Sequence, residues 1–480
     1  MAQSPNVLLI YADDHRYTGV HGLGGMQVQT PNLDLLSERG VVFTHAYLQG
    51  SMSAATCMPS RHMLLTGRDL FQLEGSGFDI PASSTMIGEA FRDAGYRIYH
   101  VGKWHNDYPA LRRSADTGAA VIGKPSLKDH FRTPYKDWDF TGEFPDDKAY
   151  LLYFSKTGAL ERRSVTEEDV VGPIGTERDG PHTSEVFADS AIKFIEQHNA
   201  TQPFFMYLAF HAPHDPRQAP ERYKALYPVD SIELPPSYMA QHPFDNGEMI
   251  VRDEQLAPWP RTEDVVRQEL ADYYAIISHM DAQIGRVLAA LKASGKAENT
   301  IIVFAADSGL AVGSHGLMGK QNLYDEGGIH VPLIFAGSIP ASAKRTEAFS
   351  YIHDVFPTLC ELSGIEVPES VTGRSLAPVI LGQTEQVREE TYHAYKDLMR
   401  AYRKDNLKLI EYFRGKNKDG SQKGSRVTQL FDLSVDPWET TDLSFQKEYK
   451  ASLIQMQSAM REAAIEMGDK LEFLGIEHFH

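Results

Sequence analysis

The chain has 480 residues, of which 42% are hydrophobic and 23% charged, the balance of a folded globular protein too long for one small core and free of low-complexity tracts. Its formal net charge of −18 excludes a nucleic-acid binder, which needs clustered Lys and Arg, but not a small anion held by a few local cations. No apolar stretch reaches the roughly 18 residues of a membrane span, and two cysteines, Cys57 and Cys360, exclude a disulfide scaffold.

In chain order, Asn6 to Tyr11 is a continuous apolar run that ends at Asp13-Asp14. Thr30-Pro31 starts a helix that Gly40 stops. The small, polar stretch Ser51 to Thr56 leads to Cys57, and Pro59 stands where a helix can begin without needing an N–H. Arg61 to Thr66 would be its first turns and Gly67 its stop. Ser84-Thr85 starts another helix that Gly95 stops. Arg97 to Val101 ends at Gly102-Lys103-Trp104-His105, and Phe204 to Phe210 ends at His211-Ala212-Pro213-His214. A long helical pattern over Asp264 to Leu291 precedes Thr300 to Ala306, which ends at Asp307.

Apolar runs of this length suit strands buried on both faces, in a mostly parallel sheet covered by helices. Ligands bind in the crevice beyond the carboxyl ends of such strands, so the four polar clusters are predicted to converge. After about residue 375 the texture changes. Thr391 to Tyr412 alternates apolar and polar residues, a Gly/Lys-rich turn covers Gly415 to Gly424, and Gln429 to Leu433 precedes an amphipathic helix over Lys447 to Glu466. The expectation is an α/β fold: a large domain over 1–375 and a smaller subdomain over 376–480, an antiparallel sheet plus a helix. Met1 to Asn6 lacks the charged and apolar regions of a signal peptide, although Met1-Ala2-Gln3-Ser4 is compatible with a trimmed start. The expected location is periplasmic or secreted if a signal peptide has been removed, and otherwise cytoplasmic.

Read alone, several residues leave two readings open. A sulfur at a helix N-terminus is activated by the local dipole, so Cys57 is either a reactive group or a buried inert thiol. Cys360 reads as a buried small hydrophobe. Asp13-Asp14 is either a cap or, because two adjacent carboxylates repel, half of a cation site. Lys103 and Lys320 alone would pass as surface lysines, and His105 and His214 as structural histidines or proton carriers.

Cys57-Met58-Pro59-Ser60-Arg61, followed by Leu64, Thr66 and Gly67, resembles the signature C-x-P-S-R-x-x-L-x-T-G of type I sulfatases, in the alkaline phosphatase superfamily. Asp13-Asp14, Gly102-Lys103-Trp104-His105, Pro213-His214-Asp215-Pro216, Ala306-Asp307-Ser308-Gly309, Gly313-Ser314-His315-Gly316 and Gly319-Lys320 resemble further elements in the family's order. Phe431-Asp432-Leu433 with Asp436-Pro437 resembles its C-terminal region, so the likeness covers nearly the whole chain.

The resemblance implies an alkaline-phosphatase-like mixed sheet and a sulfuric ester hydrolase whose nucleophile is Cα-formylglycine, made from Cys57 by a formylglycine-generating or anaerobic maturase enzyme. It implies Asp13, Asp14, Asp307, Ser308 and residue 57 around a metal, Ca²⁺ before Mg²⁺ because the ligands are hard oxygens. The chain departs from the pattern at Ser308, where the family usually carries Asn or His and a hydroxyl is a weaker ligand; His315 either compensates or bonds within its loop. Arg61 is expected to hold the formylglycine hydrate, with Lys103, Lys320 and His214 around the sulfate and His105 as the base that releases it.

The segment Pro213 to Pro260, rich in proline, aromatics and paired charges, reads as an ordered loop beside the site. It is similar to the corresponding region of bacterial carbohydrate sulfatases, which implies a sulfated sugar, from a galactan or a glycosaminoglycan, as substrate. Arg217 and Arg252 are read either as contacts for its anionic groups or as solvated arginines. Two other functions stay open: a phosphonate monoester or phosphodiester hydrolase of the same superfamily, and a non-catalytic sulfoglycan-binding protein in which Cys57 is never oxidised.

Overall fold

A computed structural model of the protein describes residues 4–25, 27–123, 130–166, 169, 180–199, 201–341, 344–417 and 419–469; the expected trimmed start at Met1 to Gln3 lies outside them. The four apolar runs are strands of one eight-stranded sheet. Its order is Lys344–Thr346, Val41–Phe43, Leu333–Gly337, Thr300–Ala306, Asn6–Asp13, Phe204–Pro213, Arg97–Lys103 and Thr117–Ile122. Only Leu333–Gly337 runs against the others, which is the mixed, mostly parallel sheet expected.

Why these runs lack an inside-outside alternation is visible in their neighbours. Every residue of Asn6–Asp13 is buried. Leu8, Ile10 and Ala12 face Val186, Phe187 and Ile195 of the helix Thr183–Gln197, and Leu270, Ile277 and Ile284 of the helix Glu263–Ala293. Val7, Leu9 and Tyr11 face Leu64, Phe91, Phe356 and Leu359 on the other side. With both faces covered, each large apolar side chain contributes about 1.5–3 kcal/mol of burial, and polar residues gather at the strand ends, the buried mid-strand His100 being bonded to the Gly102 carbonyl at 3.2 Å.

The first predicted helix spans Pro31–Arg39 between Thr30 and Gly40. The second begins at Ile87 rather than at Ser84-Thr85, because the Glu89 carboxylate accepts the Met86 N–H at 2.9 Å and makes that turn the cap. The nucleophile segment is helical over Cys57–Thr66, and Gly67 ends it with φ +63, the left-handed conformation glycine tolerates. Cys360 is fully buried in Val355–Leu362, and both cysteines are free.

The C-terminal part contains the antiparallel strands Glu390–Tyr395, Met399–Lys404, Leu407–Tyr412 and Val427–Asp432. The helix Lys450–Glu466 packs Met456, Met460 and Ala463 on Tyr392, Leu409 and Leu430. One strand of this sheet comes from elsewhere: Gly50–Ser51 pairs in parallel with Ala394 and Tyr395. That fifth strand, six residues ahead of Cys57, has no signal in the sequence because two residues are too few for a period. The hairpin Tyr150–Phe154 with Leu160–Ser164 was likewise unexpected. Among the described residues no helix is long and apolar enough to cross a membrane.

Candidate active site

The four strand ends do converge. Asp13 closes its strand fully buried, and Asp14 turns out of it with φ +64, a left-handed conformation that Asp adopts more readily than most residues. Two bonds hold that turn: the Asp14 N–H donates to Asp307 Oδ1 at 2.9 Å, and the Tyr273 hydroxyl donates to the Asp14 carbonyl at 2.7 Å. Lys103, the last residue of its own strand, donates to Asp13 Oδ2.

Cys57 stands at the first position of its helix and is 2% exposed. Its sulfur accepts a hydrogen bond from Lys320 Nζ at 2.9 Å, and its thiol donates to Asp14 Oδ1 at 3.5 Å. The helix dipole does not make it a thiolate. With no cation at the acids, burial first, then Asp13, Asp14 and Asp307, raise its pKa well above the usual thiol range, which favours the inert thiol of the two readings the sequence left open. The encoded thiol is a poor nucleophile here.

Asp13, Asp14, Cys57 and His214 each offer a ligand atom, all within 4.8 Å of one another. Asp13 Oδ1 is buried without a hydrogen-bond partner, and Lys320 Nζ lies 2.5 and 2.7 Å from the two oxygens of Asp14. Ser308 Oγ donates to Asp14 Oδ1 at 3.0 Å, so its hydroxyl does reach the cluster. Burial, with Asp13 beside it, holds Asp307 above the ordinary carboxylate range, whereas Lys103 and His214 hold Asp13 well below it against the cost of burial. An orphaned carboxylate oxygen among three buried acids fits a hard divalent cation.

Arg61 is buried beneath this cluster. Its guanidinium donates to Asp307 Oδ2 at 3.1 Å and to the Tyr207 hydroxyl at 3.0 Å, lies 3.4 Å from Asp13 Oδ2, and covers the Tyr11 ring. Its contacts are therefore to the carboxylates that would hold a metal. His214 Nδ1 bonds the Asp215 carbonyl at 2.8 Å, which leaves Nε2 facing Asp14 Oδ2 at 3.7 Å. Burial first, and Lys103 next, push the pKa of His105 well below 6.5, so its ring is neutral.

Three predicted residues lie elsewhere or act differently. His315 stacks on Tyr324, centroids 3.7 Å apart, and bonds Ser237 and His242 through its backbone; it is a loop residue with no contact to the carboxylate cluster. Arg217 is buried and pairs with Glu269 of the helix Glu263–Ala293, so it is neither a surface arginine nor a rim group. Arg252 is at the rim, bound through two nitrogens to Asp215 at 2.6 and 2.8 Å, one residue from His214.

Other contributors had no role in the sequence reading. His211 stacks on His214 at 4.7 Å and sits 3.5 Å from Asp13 Oδ2; its place at a strand end was visible, its contact was not. Tyr273 is one aromatic within a helical pattern. Glu254 accepts the N–H groups of Met318 (3.0 Å) and Gly319 (2.8 Å) and so anchors the loop that carries Lys320.

The mixed sheet between helices, with acids, lysines and histidines at one end, is an alkaline-phosphatase-like fold. Comparison with known proteins agrees. The Sulfatase family profile matches residues 5–365, and that of N-sulphoglucosamine sulphohydrolase, C-terminal, matches 313–466. The chain belongs to the sulfatase family, whose members are sulfuric ester hydrolases. An arylsulfatase of Clostridium perfringens is 27% identical over 97% of both chains. The structure of BT4656 in complex with its substrate D-glucosamine-2-N,6-O-disulfate superposes with TM-score 0.74 at 20% identity, over 97% of this chain and 99% of that one. The phosphonate monoester hydrolase of Agrobacterium radiobacter shares the fold as well, with TM-score 0.70 at 20% identity and 96% of each chain covered.

Proposed function

We propose that the protein removes sulfate from a sulfated mono- or oligosaccharide, with Ca²⁺ held by Asp13, Asp14, Asp307 and Ser308 and with residue 57 matured to Cα-formylglycine. The observation that carries this reading is the placement of Cys57 at the first position of its helix, 2.9 Å from Lys320 Nζ and 3.5 Å from Asp14 Oδ1, within the acid cluster.

The hydrated aldehyde supplies two hydroxyls on one carbon, one to attack sulfur and one whose deprotonation frees the sulfate. A divalent cation at the acids supplies charge that favours the attacking oxygen as an anion. Asp307, whose Oδ1 accepts the Asp14 N–H at 2.9 Å, is the carboxylate that takes the proton of the attacking hydroxyl. Lys103 and Lys320 hold the non-bridging oxygens, where charge builds as the sulfur–oxygen bond to the sugar breaks. His214 and Lys320 assist the departing alcohol oxygen. His105 then removes the proton of the second hydroxyl; the carbon–oxygen bond to sulfate breaks, the aldehyde returns, and water rehydrates it. Arg61, expected to hold the formylglycine hydrate, contacts Asp307 and Asp13 and so fixes the acids.

The ordered loop after Pro213, with Arg252 at the rim, and the sulfated glucosamine bound by BT4656 support a sugar substrate. In this reading residues 1–375 carry the chemistry, 376–480 form the C-terminal subdomain, the partner is a maturase, and the location is periplasmic or secreted if a signal peptide has been removed and otherwise cytoplasmic.

Mass analysis of the peptide containing residue 57, from the native host, tests the proposal: conversion lowers the mass by roughly 18 Da. Unmodified Cys there would leave a sulfoglycan-binding protein. The shared fold of the phosphonate monoester hydrolase favours one rival, which parallel kcat/KM values on aryl sulfate and aryl phosphonate esters decide. A panel of defined sulfated saccharides then identifies the sugar and the position.

A further inference from the structure

His214 and Lys320, which together assist the departing alcohol oxygen, are carried by different loops. One exposed side chain joins those loops. Arg252 donates to Asp215 from both terminal nitrogens, at 2.6 and 2.8 Å, and from Nε to Asp253 Oδ1 at 3.0 Å. Asp215 follows His214, and its carbonyl accepts the proton of His214 Nδ1 at 2.8 Å. On the other side, Asp253 Oδ2 accepts from Gln321 Nε2 at 2.7 Å, and Gln321 Oε1 accepts the backbone N–H of Lys320 at 3.1 Å. We propose that Arg252 is a positioning residue for leaving-group departure, the bridge that fixes His214 and Lys320 relative to each other.

The inference rests on the roles proposed for His214 and Lys320 and names what couples them. The geometry is that of a bridge rather than of a substrate contact. The Arg252 side chain is 60% exposed, but those of Asp215 and Asp253 are 11% and 7% exposed, so the guanidinium closes the outer end of a chain whose other members lie inside. Its Nη2 is shared, 2.8 Å from a carboxylate oxygen of each acid. Two carboxylates around one guanidinium leave a negative charge in excess, which repels a sulfate or carboxylate on the substrate instead of collecting it. A planar fork that meets two acids at once fixes the orientation of both, as the point charge of a lysine cannot.

The consequence falls on the bond to the leaving oxygen. A catalytic group displaced by about 1 Å can lower a rate about 100-fold, and the loss is greatest where the leaving oxygen most needs a proton. Phenyl sulfate, with a poor leaving group, therefore depends on the bridge more than 4-nitrophenyl sulfate, whose phenolate departs readily.

Matured Arg252→Ala and Arg252→Lys are assayed on both esters. Arg252→Ala should lose about 10-fold in kcat/KM on 4-nitrophenyl sulfate and about 100-fold on phenyl sulfate, through kcat rather than KM; a merely structural role would lower both alike. Arg252→Lys should stay within about threefold of the alanine variant. In protein matured or not, Arg252→Ala should speed hydrogen exchange at the amides of His214 and Lys320 by about fivefold or more, and leave the strand Asn6–Asp13 unchanged. Equal losses on the two esters, full recovery in Arg252→Lys, or unchanged exchange at both amides overturns the proposal. So does a raised KM for an acidic sulfated saccharide with both aryl sulfates unaffected, which would make Arg252 a substrate contact. Absence of turnover in the wild type would instead strike the proposed function, and the exchange comparison would still decide whether Arg252 couples the two loops.

Discussion

Glu254 supports the site without lining it, and substituting it tests whether the position of Lys320 controls turnover. Its carboxylate, 4% exposed, accepts the N–H of Met318 at 3.0 Å, that of Gly319 at 2.8 Å and Arg261 Nη2 at 2.8 Å. Arg261 is itself fully buried. Glu254→Ala leaves that guanidinium and two amides without their acceptor, a loss of about 3–5 kcal/mol for a broken buried pair. The low end is expected, because Arg261 keeps its bonds to the carbonyls of Ala257, Pro258 and Glu254. Glu254→Gln keeps the volume but turns an amide donor toward donors, a loss of about 1–3 kcal/mol. The next residue, Lys320, touches Cys57 and Asp14, and a displacement of about 1 Å at a catalytic group can lower the rate about 100-fold. Matured Glu254→Gln should therefore lose about 10- to 100-fold in kcat/KM on nitrophenyl sulfate, with faster hydrogen exchange at Met318 and Gly319. If exchange at those amides accelerates while kcat/KM stays within about twofold, the argument that this loop positions Lys320 is wrong.

Lys103→Ala and Lys320→Ala should each lower kcat/KM by about 10²–10³, the usual effect of removing one fixed charge from a developing oxyanion; steady-state assays of matured protein check this, and a KM effect alone would contradict it. Chelation should abolish turnover, and Ca²⁺ should restore it. Because burial and Asp13 raise the pKa of Asp307, a proton occupies that carboxylate at lower pH and competes with the cation. Affinity for Ca²⁺ should then rise with pH, with proton release on binding; a calorimetric affinity that is flat between about pH 6 and about pH 8 refutes it. Gly50→Ala should destabilise the protein by about 2 kcal/mol or more, since φ is +128 and the added Cβ would lie 1.8 Å from the Ala394 carbonyl oxygen; an unchanged urea midpoint would show that the Gly50–Ser51 strand is dispensable.

Strand identity was legible because burial on both faces demands unbroken apolar runs, and each run stops where its sheet meets the site. The helix Glu263–Ala293 was legible from its period within two residues at each end. The acids, lysines and histidines were legible as strand-end residues, although nothing in Asp13-Asp14 alone separates a cap from a cation site. Gly50–Ser51, Tyr273, His211 and Glu254 were not legible in these roles, because each acts through a partner distant in the chain. Of the predicted peripheral residues, Arg252 reaches the rim while Arg217 and His315 turn to other partners, since the charge or shape that satisfies each lies in a segment local pattern cannot locate.

The sequence by itself determined which residues stand at strand ends and that Cys57 opens a helix, because local hydrophobic period and cap chemistry act over a few residues. Only the tertiary structure decided that Asp13, Asp14, Asp307 and Lys320 surround Cys57. The electrostatic state of a buried group is a sum over neighbours whose sequence separation is large.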